Sequence, residues 1–216
     1  MNRTTLLHNV YHAMLDELGP SGWWPGETPF EVAVGAILTQ NTNWVNVEKA
    51  IANIREAGCM DAQALAALPE AKLQEMLRPA GYFRLKATRL RHFLDFLRGE
   101  AGWEIRALAR RDTDALRSQL LKIKGIGPET ADCILLYSLD KPVFVVDAYT
   151  HRILTRHGLI PEEAGYDEMR EFFMDVLPPD PVLYAEYHAL IVRVGKQWCK
   201  KSVPDCGGCP LRRFLD

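Results

Sequence analysis

One short run constrains this chain more than any other: Leu121-Lys122-Ile123-Lys124-Gly125-Ile126-Gly127-Pro128-Glu129-Thr130-Ala131. An amphipathic segment over residues 114–124 carries Leu116, Leu120 and Ile123 on one face and runs into a Gly-x-Gly turn. A second apolar segment opens at once with Pro128, a residue favoured at the first helical position because its missing N–H would have had no partner there. Glycine supplies the backbone conformations that a tight turn requires. The pattern predicts two short helices joined by a hairpin whose N–H groups face outward. Such a helix N-terminus carries partial positive charge and is suited to holding a phosphate.

The rest of the chain is helical in pattern. Apolar residues recur at three- and four-residue spacings in Leu6, Leu7, Val10, Met14 and Leu18, again in Val34, Ile37 and Leu38, and again in Val47, Ile51 and Ile54. Leu85, Leu90, Phe93, Leu94 and Leu97 mark a longer helix. Residues 142–146 alone read as extended, and one such run without a partner cannot make a sheet. The expected fold is all-α. A chain of 216 residues suffices for one large or two small domains with a core. The extended run ends at Asp147, followed by a helical pattern over 148–157, so Asp147 is a natural N-cap.

Charge narrows the partners. With 26 Lys and Arg against 28 Asp and Glu, the net charge of −2 excludes a polycation that coats nucleic acid nonspecifically, so any such contact is a local patch aided by backbone dipoles. No apolar run approaches the roughly 20 residues of a membrane span, and the start lacks the apolar core of a secretory signal. Three of the five cysteines fall in the last eighteen residues, as Cys199, Cys206 and Cys209. That clustering suggests a metal site in a reducing cytoplasm rather than a disulfide framework. Cys59 and Cys133 read as buried free thiols.

The order of motifs is similar to that of endonuclease III over nearly the whole chain. It comprises Ile37-Leu38-Thr39-Gln40-Asn41-Thr42, then the hairpin, then Val145-Val146-Asp147-Ala148-Tyr149-Thr150-His151-Arg152, then Tyr187-His188-Ala189-Leu190-Ile191, then the three late cysteines. The chain thus resembles the helix–hairpin–helix superfamily of DNA glycosylases. The resemblance implies a two-domain fold: a six-helix barrel over residues 23–133, and a second helical domain from residues 1–22 with 134–216. Double-stranded DNA containing a damaged base would be the partner of a monomeric enzyme, bound between the domains.

The resemblance also assigns roles. Gln40 sits where the superfamily keeps an intercalating glutamine that fills the stack vacated by a flipped base; the plainer alternative is a polar cap at a helix end. Asp147 takes the place of the catalytic carboxylate. Hydrogen bonds from a helix N-terminus favour its ionised form, as stabilising an oxocarbenium-like transition state requires. Lys122, Lys124, Gly125 and Gly127 would meet DNA phosphates. Glu129 departs from the bifunctional members, which carry a lysine two residues after the second glycine; a carboxylate cannot form the Schiff base that leads to strand cleavage. The expectation is a monofunctional glycosylase.

Trp23-Trp24-Pro25, followed by the Phe-Glu-x-x-x-Gly-Ala-x-Leu-Thr-Gln-Asn-Thr run and Trp44, resembles the 3-methyladenine DNA glycosylases of endonuclease III type. In those enzymes these positions line the base pocket; the plainer alternative is a core plug. An aromatic wall suits a cationic alkylated purine, because ring faces attract a desolvated cation by about 2 kcal/mol. The alternatives are an endonuclease III-type pyrimidine-lesion glycosylase with AP lyase activity, and a non-catalytic module that recognises damaged DNA.

Cys199-x6-Cys206-x2-Cys209 is similar to the first three cysteines of the endonuclease III [4Fe–4S] motif, which implies an iron–sulfur cluster. The fourth ligand would fall at Leu215. The open readings are a cluster with a non-cysteine ligand such as Asp216, a labile three-cysteine cluster, a zinc-like site, or a site that has lost its metal. Lys196, Lys200, Lys201, Arg212 and Arg213 make this tail basic enough to rest on phosphates.

Overall fold

A computed structural model describes residues 2–215, and no strand occurs among them. The chain divides into two compact units. One holds Pro25–Lys141; the other is built from the chain up to Trp24 together with Pro142 onward.

The Pro25–Lys141 unit is organised on α2 (Pro29–Leu38), which starts with Thr28 as N-cap and Pro29 in its first turn. Every residue from Phe30 to Leu38 is buried, and a helix apolar all round belongs in the middle of a core. Its one buried charge, Glu31, is gripped by the Arg55 guanidinium, with Nε donating to Oε2 at 2.7 Å. Arg55 belongs to α3 (Trp44–Glu56), capped by the Asn43 side chain accepting from the Asn46 N–H at 3.1 Å. Two short helices follow, α4 (Ala62–Ala67) and α5 (Glu70–Leu77). The long α6 (Phe83–Ala101) buries Leu90, Phe93, Leu94 and Leu97, and its Arg91 donates to the carbonyls of Ala66 and Leu68 where α4 ends.

The hairpin closes this unit. Helix α7 (Thr113–Leu121) is capped by Asp112, whose side chain accepts from the Ala115 N–H at 2.9 Å. Helix α8 (Pro128–Cys133) continues through Ile134–Ser138 with the wider π-helical turn. Arg117 of α7 and Asp132 of α8 form a bidentate pair, Nε to Oδ1 at 2.7 Å and Nη2 to Oδ2 at 3.1 Å, with the carboxylate wholly buried. The unit ends eight residues later than the expected boundary at 133, because the π-helical turns pack on α2: the Ser138 hydroxyl donates to the Pro29 carbonyl at 2.7 Å. Lys141 then donates to the Arg111 carbonyl at 2.6 Å.

The second unit pairs α1 (Arg3–Leu18) with α11 (Pro181–Gln197). The Tyr187 hydroxyl donates to the Leu7 carbonyl at 2.9 Å, and Arg193 donates to the carbonyls of Leu18 and Gly19 at 2.7 and 2.9 Å, satisfying the C-terminal end of α1. The run 142–146 forms no strand, and its residues 143–146 are buried. It carries Phe144 into an aromatic core, stacked on Phe173 of α10 (Tyr166–Met174) with centroids 4.0 Å apart. Tyr184 and Tyr187 meet Phe144 edge-on. The remaining helix, α9 (Ala148–Arg156), packs along α11.

Candidate active site

The hairpin turn is anchored from beneath. Ile123 and Ile126 are buried, and the Ile126 N–H donates to the Ile123 carbonyl at 3.0 Å. Their burial turns Lys122, Lys124, Gly125, Gly127, Pro128 and Glu129 to solvent. Gly125 has φ +94°, where a side chain is strained, and a Cβ there would also collide with Arg89. Gly127 has φ −95° and open space beside it, so only the first of the two glycines is demanded by this turn.

Gln40 lies on the hairpin. Its amide donates to the Gly125 carbonyl at 3.1 Å and to the Thr130 hydroxyl at 2.8 Å, while its carbonyl accepts from Arg89. The cap of α2 is Thr39, whose N–H and hydroxyl both donate to the Gly35 carbonyl, at 2.9 and 2.7 Å. Gln40 is therefore not the helix cap that its position after an apolar helix suggested. Arg89 and His92, on one face of α6, complete the surround, with His92 Nδ1 2.9 Å from the Lys124 carbonyl oxygen. Neither was singled out from the sequence, although Lys86, Arg89 and His92 recur at the three-residue spacing of one helix face.

Asp147 caps α9 with one oxygen only. Oδ1 accepts from the N–H groups of Tyr149 and Thr150 at 2.9 and 2.8 Å and from the Thr150 hydroxyl at 3.0 Å. Oδ2 stands 3.7 Å from Nε2 of His188 on α11. The side chain is 13% exposed. Burial pushes the carboxyl pKa up, but the facing His188 imidazole, with the Thr150 N–H and hydroxyl, outweighs it and holds the group below its ordinary value.

Trp23 and Trp24 lie side by side, half-buried, with ring centroids 5.1 Å apart and planes inclined by 50°. Their loop is held by Glu186 of α11, which accepts from the Ser21 N–H and hydroxyl, both at 2.7 Å; the Ser21 oxygen in turn accepts from the Trp23 N–H at 3.1 Å. Pro25 is exposed and opens the other unit. Trp44 is half-buried at the start of α3, its indole N–H donating to Glu48 at 2.8 Å.

The late cysteines depart from expectation. Cys199 is buried, Cys209 half-buried and Cys206 exposed; all three border one hollow, which Leu215 also lines. No group of three or more His, Cys, Asp or Glu among the described residues is placed to hold a metal, and Asp216 lies outside those residues. Burial raises the Cys209 thiol pKa, and the neighbouring Cys199, Cys206 and Asp205 raise it further. The tail is instead clasped from α9. Arg152 donates to the Cys199 carbonyl at 2.7 Å, and Arg156 donates to the Lys200 and Lys201 carbonyls at 2.8 and 3.1 Å and to Cys199 Sγ at 3.3 Å. Three thiols border the hollow and Leu215, at the expected fourth position, has no donor atom, so the described residues do not complete the four-cysteine set of a [4Fe–4S] cluster. Cys133 is buried as expected, whereas Cys59 is half-buried in the turn after α3.

Residues 34–179 match the HhH-GPD superfamily of base excision DNA repair proteins. The chain belongs to this superfamily. A Methanocaldococcus jannaschii protein named as a DNA repair glycosylase is 47% identical over 99% of this chain and 97% of its own length. Endonuclease III of Thermotoga maritima is 30% identical over 87% of this chain and 83% of its own. Among solved structures, the H. pylori 3-methyladenine DNA glycosylase MagIII bound to 1,N6-ethenoadenine shares 30% identity, with a TM-score of 0.77 and coverage of 91% and 98%. An endonuclease III–DNA complex matches at a TM-score of 0.83, covering 100% and 96% with 21% identity, a likeness of fold. This HhH-GPD protein thus has the all-α helix–hairpin–helix glycosylase fold. It carries Glu129 in the first turn of α8, where a negative charge suits the helix dipole. No helix of the described residues is long and apolar enough to cross a membrane.

Proposed function

We propose that this chain is a monofunctional DNA glycosylase of the cytoplasm that, as a monomer, hydrolyses the N-glycosidic bond of a flipped alkylated purine, such as 3-methyladenine, in double-stranded DNA. The observation that carries the reading is the Asp147 carboxylate, kept ionised and split between a capping oxygen and a second oxygen that takes no part in the cap. A fixed anion stabilises the cationic character that develops on the sugar as the base departs, and orients the water that attacks C1′.

The other roles follow from the chemistry of each group. The exposed turn at Gly125 and Gly127, with Lys122 and Lys124, holds the backbone through helix-end dipole and charge. Gln40 leaves its hydrogen bonds on the hairpin to fill the space of the extruded base, whose unstacking costs a few kcal/mol. Trp23, Trp24 and Trp44 attract the positive charge that alkylation places on a purine. An alkylated purine is already a good leaving group, so one carboxylate suffices. The likeness to a 3-methyladenine glycosylase at 30% identity supports this substrate class.

The similarity to an endonuclease III favours a second reading, a lyase acting through an amine. Glu129 supplies none at the hairpin. Lys86 has the lowered pKa that a Schiff-base amine needs, about 8, set by burial and then by Arg89. It is also 1% exposed, with its ammonium donating to the Ala80 carbonyl at 2.7 Å, out of reach of a sugar.

The deciding experiment offers purified protein a panel of duplexes, each carrying one lesion, with and without borohydride. Release of 3-methyladenine with no strand nicking and no covalent adduct is expected. Release of thymine glycol alone overturns the substrate class, and a borohydride-trapped adduct overturns monofunctional hydrolysis.

A further inference from the structure

The Asp147 carboxylate has one oxygen whose orientation the helix cap does not explain. Three donors converge on Oδ1, all from the first turn of α9. Oδ2 faces a residue 41 positions away in the chain, His188, whose side chain is 8% exposed and whose Nε2 lies 3.7 Å from it. An N-cap needs a single acceptor oxygen, so His188 serves something other than the cap.

The seam between α9 and α11 is built to bring the two together. Gly195 lies seven residues after His188, two helical turns on and therefore on the same face of α11. A Cβ at Gly195 would collide with the Tyr149 ring, so glycine sets how closely α9 approaches. Arg152 of α9 then donates to the Gly195 carbonyl at 3.3 Å and to the Cys199 carbonyl at 2.7 Å, fixing the far end of the seam. On the other side, Tyr187 is bonded to the Leu7 carbonyl and Arg193 to the end of α1. His188 therefore stands on a helix held from both sides.

We propose that His188 is the positioning residue of the reaction centre, resting on the assignment of Asp147 as the catalytic carboxylate. Its ring N–H holds Oδ2 in plane and keeps the carboxylate ionised and aimed at the sugar. A donor on the second oxygen stops the carboxyl group from rotating about its Cβ–Cγ bond, and a hydrogen bond to the charged form favours that form. Separations longer than a hydrogen bond are common between catalytic partners before substrate is bound.

The test does not depend on knowing the lesion. Duplexes carrying a cationic pyrrolidine abasic analogue are compared with duplexes carrying the neutral tetrahydrofuran analogue, and the affinity ratio reports how well the carboxylate meets positive charge at the sugar. Wild-type protein should favour the cation, and Asp147→Asn should abolish the preference. His188→Met, similar in volume but without a donor, should cut the ratio by about tenfold, the worth of one hydrogen bond to a charged group, with tetrahydrofuran affinity unchanged. His188→Gln, which restores an N–H, should recover most of the ratio, a rescue that a packing role would not produce. Gly195→Ala should lower the ratio as well, by pushing α9 off the seam. An unchanged ratio in His188→Met beside a collapsed one in Asp147→Asn overturns the proposal and leaves the carboxylate assignment standing. A ratio insensitive to Asp147→Asn, or no preference in the wild type, overturns both. Equal losses in His188→Met and His188→Gln reduce His188 to packing.

Discussion

The hairpin of the Pro25–Lys141 unit and the carboxylate of the other unit solve opposite problems. On the proposed function the hairpin exposes backbone to a polyanion, and beneath it lie two buried isoleucines and a bidentate Arg117–Asp132 pair. On the same reading the carboxylate stays charged while shielded: three donors meet its Oδ1 and only 13% of the side chain is exposed. One site presents its surface to solvent; the other is enclosed, with little water near its charge. Exposed charge is screened and weak, whereas enclosed charge is strong. Perturbing the first should change how DNA is held, and perturbing the second should change how fast the bond breaks.

The largest effect is expected at the base of the hairpin. Arg117→Leu leaves the fully buried Asp132 carboxylate without its guanidinium, and removing one partner of such a pair costs about 3–5 kcal/mol. Chemical denaturation should show that loss, and DNA affinity should fall with it. A loss below about 1 kcal/mol, the scale of a surface pair, would mean that the hairpin is held by its apolar contacts alone.

Next comes Asp147→Asn. Asparagine is an equally good N-cap, so folding and DNA affinity should survive while single-turnover excision drops by at least about a hundredfold. The wild-type carboxyl is held below its ordinary pKa. Its contribution to stability is thus complete above the usual carboxylate range and is lost as the pH falls through its own lowered pKa. Acid melts of the variant should lack that component. Full activity in the variant would leave Asp147 a helix cap.

Trp24→Ala sharpens the comparison from the substrate side. Stacking one base is worth about 1–3 kcal/mol, so excision of cationic bases should fall by roughly tenfold to a hundredfold. Affinity for undamaged DNA should hardly move. Equal losses on cationic and neutral lesions would assign this tryptophan to the core of its loop.

A smaller change is expected at Lys124, exposed on the hairpin. Lys124→Ala should lower DNA affinity at every sequence alike and reduce the salt-dependence slope by about one. An unchanged slope would remove Lys124 from the phosphate contacts. The smallest effect is expected from iron chelation, because arginines already clasp the cysteine tail. The melting temperature should stay within about 2 °C, less than a 1 kcal/mol change would cause in a chain of this size. A yellow-brown protein that melts much earlier when stripped would show that the thiols regroup around metal.

Much of this was determined by neighbours in the chain. The helical period, the turn at Gly125, the Pro128 helix start and the Asp147 cap all act within one or two turns, and local sequence decides them because their partners are two to four residues away. The absence of an amine at Glu129 is likewise a matter of identity at one position. Only the tertiary structure decided that Gln40 reaches the hairpin, that Arg89 and His92 close around that turn, and that His188 meets Asp147. It also decided that the π-helical turn on Pro29 carries the first unit to Lys141, and that Cys199, the first of the three late cysteines, lies under Arg152 and Arg156. Those contacts join residues tens of positions apart, and their geometry is set by which helix faces pack and how closely. A spacing rule along one strand of sequence does not contain that distance.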